Sequence, residues 1–427
     1  LNIILPMLNK TTKWYKLDNS AQLYPVMTTL NTQSIFRISV ELKDEVRPER
    51  LRDAVERAFL RYPSFKVMLR RGVFWYYFEE NLRPAVVMPD SGILLERFNL
   101  KKLNEYPFRV SYFGRRVSFD FSHALTDAIG GIKFLKAVLA NYFVLGGENV
   151  KAEALETLTD NAEEEDSFLK YFAPEKSKLD LGAFIGRPSH KLTGEWIKGV
   201  GCGFIQGFMP ASEIAARAKA HGASVTCYLV ALAIKSIFDA EGEKISRPIN
   251  IMIPMNLRKI FPSVTVHNFV LFMSIRVTAT KEMTLSDYIR AVDEQLKAQS
   301  SKENMQDKIN MSVRGFAHPV FRFMPLPLKW LAIKIGKLFI KGGSQTMIIS
   351  SVGIVDTEGL AFSRMALAVN VSRNSAHNVA IATTNGELAV AFSRLTKSAA
   401  IEQKFFSALA ADGVNVTVQG NLREELV

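Results

Sequence analysis

Between Val117 and Phe143 the chain changes its apolar period from two residues to 3.6 within a few positions, and this is its most constraining feature. In Val117-Ser118-Phe119-Asp120-Phe121-Ser122 every second residue is apolar, the pattern of a half-buried strand. After Asp127 the sequence reads AIGGIKFLKAVLANYF, with Ile129, Ile132, Leu135, Val138 and Leu139 close to one helical face. His123 to Thr126 must then fill a tight strand-to-helix connection. Two readings follow. Thr126 or Asp127 caps the helix and His123 merely ends the strand, or His123 and Asp127, four apart, form the working end of an enzyme. Spacing alone does not choose between them.

Length and composition narrow the setting. At 427 residues the chain is too long for one core of ordinary size, so two domains of about 200 residues are expected. Hydrophobic content of 48% with 22% charged residues describes a globular protein. The two cysteines, Cys202 and Cys227, make neither a disulfide framework nor a metal cluster, which suits a reducing cytoplasm. The opening LNIILPMLNKTTKW has no basic leader and no small-residue cleavage site, so no signal peptide is expected. No uncharged apolar run reaches the ~18 residues of a membrane span. A net charge of +12 can attract nucleic acid, anionic lipid, or a phosphorylated or acidic partner. Without a Cys/His finger, an RNP-type strand or a dense Lys/Arg block, nucleic acid is the least supported one. A phosphate-bearing cofactor or an acidic carrier protein fits the charge equally well.

Along the chain, strand and helix patterns alternate. Pro48 to Tyr62 predicts a helix burying Leu51, Ala54, Val55, Ala58 and Phe59 and stopped by Pro63. SFKVMLRRGVFWYYFEE predicts a hairpin turning at Arg71-Gly72. The acidic stretch 153–166 predicts a solvated loop or helix face. GVGCGFIQGF, 199–208, lacks phosphate-loop spacing and begins a strand of the second half. Helices are expected over ASEIAARAKAHG, stopped by Gly222, over SVTCYLVALAIKSIFDA, capped by Ser224 or Thr226, and over LSDYIRAVDEQLKAQS. RPINIMIPMNLR, VHNFVLFMSIRV and QTMIISSVGIVD predict buried strands. In KWLAIKIGKLFIK, 329–341, Lys334, Lys337 and Lys341 form one stripe. The broken apolar arc there favours a partly buried helix with a wet edge over an interfacial membrane helix. The architecture expected is α/β (α+β), with mixed sheets and packed helices in both halves.

Taken in order, these segments resemble the chloramphenicol-acetyltransferase and condensation-domain superfamily, whose motif is His-x-x-x-Asp-Gly. Within it the resemblance is to alcohol O-acetyltransferases and mycobacterial polyketide-associated acyltransferases. His123 and Asp127 match the motif, with Ala128 in place of its first glycine and Gly130 at its second. Ala218 to Thr226, the turn Pro254-Met255-Asn256-Leu257-Arg258, the strand from His267-Asn268-Phe269 to Arg276, and Ser350-Ser351-Val352-Gly353 resemble later family segments. Ser351 stands where asparagine is common, and Ser122 where condensation domains carry a second histidine, which points to a freestanding acyltransferase.

The resemblance implies two acetyltransferase-like domains, 1–175 and 176–427, with a substrate tunnel between them and His123 at its middle. It implies acyl transfer from acyl-CoA or an acyl carrier protein thioester to an alcohol, with His123 as general base. Asp127 would turn away to an arginine; Arg258 is expected, with Arg276 as the alternative. Ser350, Ser351 or a backbone N–H would serve the oxyanion, and Asn256 the substrate. No metal or bound cofactor is expected. Two other classes remain open: a non-catalytic module holding a carrier protein or lipid, and a membrane-associated lipid-modifying acyltransferase.

Overall fold

The computed structural model describes residues 12–28, 33–151, 165–174, 187–198, 201–339 and 345–421. Two sheets, each with its own apolar core, organise the chain. In the first, the strands run Phe362–Val369, Ile35–Leu42, Arg116–Ser122, Phe108–Phe113 and Val87–Pro89. Phe36, Ile38, Phe119 and Phe121 point to one face because alternate residues of a strand share a side. Helices Pro48–Arg61 and Ala128–Leu145 cover that face, and the Phe65 and Phe134 rings stack 4.2 Å apart beneath them. Helix Ala128–Leu145 is apolar enough to pass for a membrane span, but its side chains are largely spent on this core.

The second sheet has the order Val270–Val277, Ile249–Asn256, Met347–Ile354, His377–Thr384, Glu387–Arg394, Gly203–Pro210 and Thr417–Gly420. Helices Val225–Glu241, Leu285–Gln299 and Ala400–Ala411 pack on it around a second core. Ser224 caps the first of these by accepting from Cys227 N–H at 3.2 Å, and Gly222 ends the preceding helix Ala211–Ala220 at φ +67°. A third, three-stranded sheet holds Trp14–Lys16 and the hairpin of Val67–Arg71 with Tyr76–Glu80.

Two expectations are corrected. The hairpin turns over 72–75, not at Arg71-Gly72, because Arg71 pairs with Tyr76. The boundary at 175/176 does not separate the cores: Phe362–Val369, far into the second half, pairs antiparallel with Ile35–Leu42 as an edge of the first sheet. Its Phe362, Met365 and Leu367 are buried in the first core, so the two halves are laced by a strand. In helix Leu326–Phe339, Lys329, which is not part of the expected stripe, is fully buried, while Leu328, Leu331 and Ile335 are exposed. The side chains of Lys334 and Lys337, all of Lys341, and most of the acidic stretch (152–164) lie outside the described residues.

Candidate active site

His123 stands where strand Arg116–Ser122 ends and helix Ala128–Leu145 has not yet begun. Its own N–H donates to Ser34 O at 2.9 Å, which continues the pairing of the strand by one residue. Ser122 has its hydroxyl folded back to accept from Ala124 N–H at 3.2 Å, so it tightens the turn. Asp127 is the N-cap, with extended backbone and its Oδ1 accepting from Gly130 N–H at 3.0 Å. Ala128 is the first helical residue and does not take a positive φ, so alanine in place of the glycine of the motif it resembles causes no strain.

The segment Thr265–Phe269 of the second half clamps this turn along its length. Thr126 Oγ1 donates to Val266 O at 2.6 Å. Asn268 Nδ2 donates to the carbonyl of His123 at 2.9 Å, and Phe269 N–H to Asp127 Oδ2 at 3.0 Å. Asp18 Oδ2 in turn accepts from both nitrogens of Asn268 at 3.2 Å. Contact is close enough that Gly130 leaves no room for a side chain: a Cβ there would lie 2.0 Å from Val266 O and 2.2 Å from Thr126 Oγ1. Gly130→Ala must therefore push a helix start off a backbone carbonyl. We expect a loss at or above the ~1–3 kcal/mol usual for overpacking, and an unchanged melting temperature would show that the clamp yields.

Asp127 and Arg258 form the ionic centre of the clamp. Arg258 Nη1 lies 2.8 Å from Asp127 Oδ2, and both side chains are more than nine-tenths buried. The guanidinium spends its other donors on Thr265 O at 3.1 Å and His267 O at 2.6 Å. Each buried donor thus meets an acceptor, as a desolvated cation requires. Arg276 turns elsewhere, to the carbonyls of Arg187 and Pro188. Asn256 was expected at the substrate. Its Oδ1 instead accepts from Arg258 N–H at 3.1 Å and Nη1 at 3.3 Å, so its carboxamide oxygen aims the arginine.

Ser350 and Ser351 lie on Met347–Ile354, near the middle of the seven-stranded sheet, opposite Ala380 and Ile381. The register slips between Ser351 and Gly353, and Gly353 takes φ +78°, which leaves Val352 as a bulged residue beside the serines. Among the described residues, no hydrogen bond joins either serine to the His123 turn.

The imidazole itself lies between two rings. Tyr24 stacks on it at 5.1 Å and 20°, and Phe36 is tilted against it at 4.6 Å. Desolvation by these neighbours pushes the His123 pKa down to about 4, against the opposing pull of Asp127, the Asn268 side chain and the Thr126 backbone. The same burial, with the charges of Asp18 and Asp127, raises the Tyr24 phenol well above its ordinary value. His123 Nδ1 is buried, so exchange of a proton with a substrate falls to Nε2. Tyr24, Asp18 and Asn268 escaped sequence reasoning. Asn268 stood inside a quoted strand, but its partners lie 145 and 250 residues away.

No protein-family profile matches the chain, and no curated protein matches it in sequence. Solved structures do. Polyketide synthase associated protein 5 from Mycobacterium tuberculosis is similar over 89% of this chain and 94% of its own, at 13% identity and a TM-score of 0.60. TRI101 of F. sporotrichioides, solved with coenzyme A and T-2, is similar over 96% and 100%, at 10% identity and a TM-score of 0.60. The epimerization domain from the third module of tyrocidine synthetase B is similar over 94% and 96%, at 10% identity and a TM-score of 0.58. At these identities the likeness is one of fold. The two-lobed fold implied by the sequence motifs is the fold of this chain.

Proposed function

We propose that this protein is an acyltransferase that moves an acyl group from a thioester to an alcohol hydroxyl, with His123 as general base. The observation that carries the reading is the placement of His123. Its uncharged ring sits at the end of a strand in the first lobe, and the second lobe grips its backbone. The TRI101 structure with coenzyme A has the same fold, which supports a thioester donor.

A thioester is already activated, so the protein's task is to accept the hydroxyl proton as that oxygen attacks the acyl carbon. His123 Nε2 takes that proton, the C–O bond forms, and the tetrahedral intermediate collapses with loss of the C–S bond. The imidazolium then returns the proton to the thiolate, so the ring ends as it began. The developing oxyanion needs a donor, for which we propose a Ser350 or Ser351 hydroxyl or the backbone N–H at the neighbouring bulge. Asp127 and Arg258 make no contact with reacting atoms in this scheme and position the turn.

A panel of acyl-CoA and acyl carrier protein thioesters, offered with primary and secondary alcohols and followed by thiol release, tests the proposal. Release that depends on both the alcohol and His123 supports it. No release across the panel would overturn the proposal in favour of a non-catalytic module. The pH profile supplies a separate check. A base with an ordinary histidine pKa would be half protonated near pH 6.5. With its pKa lowered to about 4, His123 stays neutral, and therefore competent, well below that pH. We expect kcat/KM to be nearly flat from pH 8 down to pH 5 and to fall only as pH approaches about 4. An acid limb centred near 6.5 would mean that the ring is hydrated in the working enzyme.

A further inference from the structure

Helix Leu326–Phe339 is turned inside out for a helix facing water. Its Lys329 is wholly buried, with Nζ donating to Phe74 O at 2.7 Å and lying 3.1 Å from the centre of the Trp75 ring. Leu328, Leu331 and Ile335, spaced to share one face, are instead 53%, 46% and 44% exposed, with Trp330 beside them. Hiding a cation while showing these side chains to water is unfavourable on both counts.

The apolar face continues beyond the helix. Leu326 N–H donates to Val73 O at 3.0 Å, which ties the helix start to the tip of the 67–80 hairpin. There Val73 and Phe74 are exposed, and the Phe74 ring lies 6.4 Å from that of Phe323, also exposed. Two elements more than 240 residues apart in sequence thus build one surface, as the bond from Trp75 Nε1 to Arg322 O also shows.

Charge selects what covers it. From Ile309 to Val355 the sequence has no Asp or Glu, yet besides the buried Lys329 it carries Arg314, Arg322, Lys334, Lys337 and Lys341. A second copy docking by the same stretch of chain would set one acid-free, cationic stretch against another, since a two-fold contact pairs a patch with itself. An anionic bilayer offers the complement of both properties, with phosphates for the cations and acyl chains for the leucines and aromatics. The helix has 14 residues, too few to cross a bilayer, which takes about 20, so it would lie in the plane of the interface.

We propose that the outer face of helix Leu326–Phe339 and the Val73-Phe74 hairpin tip together form a docking surface for an anionic lipid bilayer. A cavity of about 520 Å³, lined by Trp14, Leu17, Phe74 and Tyr77 among others, adjoins this surface. The docking does not depend on the acyltransferase reading, and it can fail or stand separately from it.

Flotation of the whole chain with phosphatidylcholine vesicles, with and without about a third of phosphatidylglycerol, tests the proposal. The chain should float with the anionic vesicles, and the bound fraction should fall at least fivefold as salt rises from about 0.05 to 0.5 M. Leu331→Ser with Phe323→Ser should cut the bound fraction tenfold or more at unchanged circular dichroism. Should that pair unfold, Leu331→Ser alone, at an exposed position, should lower it severalfold. Three results would overturn the proposal: no flotation with either vesicle, equal flotation of the folded variants, or a dimer in solution that these substitutions dissolve while vesicle binding is absent.

Discussion

Removing the imidazole in His123→Ala is expected to lower the rate of thiol release by about 10²–10⁴, the contribution of a positioned general base. Because the ring is packed between Tyr24 and Phe36, alanine also leaves a gap and lowers the melting temperature. His123→Asn keeps more of that volume and is the better second variant. Both should lose activity to a similar degree, since neither can accept and return a proton near neutral pH. The substitutions should act on kcat, because donor and acceptor contacts away from the ring survive. A loss below tenfold in a folded variant would remove His123 from the chemistry, whatever the fold resembles.

What the sequence carried and what it withheld divide along chain distance. The change of period at 117–145 is local, and so are the cap at Asp127, the cap at Ser224 and the stop at Gly222. All are decided within a few residues by side-chain spacing and backbone geometry. The lacing strand Phe362–Val369 is decided by pairing with Ile35–Leu42, more than 300 residues earlier, and no local pattern records that choice. The surroundings of His123 are of the same kind. Tyr24 reaches the ring from a short helix, Leu23–Met27, whose start is held by Asp18 accepting from Ala21 N–H at 2.7 Å. Asp18 is fixed in turn by Asn268. A sequence shows none of this, because each residue alone reads as an ordinary turn or strand member. The burial of Lys329 is hidden from the sequence for a related reason. A lysine in a helix is expected in water, and only the Trp75 ring and the Phe74 carbonyl, brought by a distant hairpin, make its burial affordable.

Asp127 and Arg258 couple the two halves, and their energies can be separated by a double-mutant cycle. Both are buried, and among the described residues each makes its ion pair with the other, so deleting either leaves a poorly compensated ion. Asp127→Asn keeps an acceptor for Gly130 N–H but sets a neutral amide against the guanidinium and against Phe269 N–H. Arg258→Gln withdraws the donors that hold Thr265 O and His267 O. Each single change is expected to cost about 3–5 kcal/mol. In the double variant neither charge is stranded, so its loss should fall short of the sum by about 1–3 kcal/mol. Denaturant unfolding of the four proteins measures the difference. Activity adds a readout that a purely structural pair would not move: where the singles still fold, the loosened His123 turn should lower kcat more than it raises KM. Additive losses in stability, with kcat untouched, would reduce the pair to two independent anchors and leave the positioning of His123 to Asn268 and Thr126.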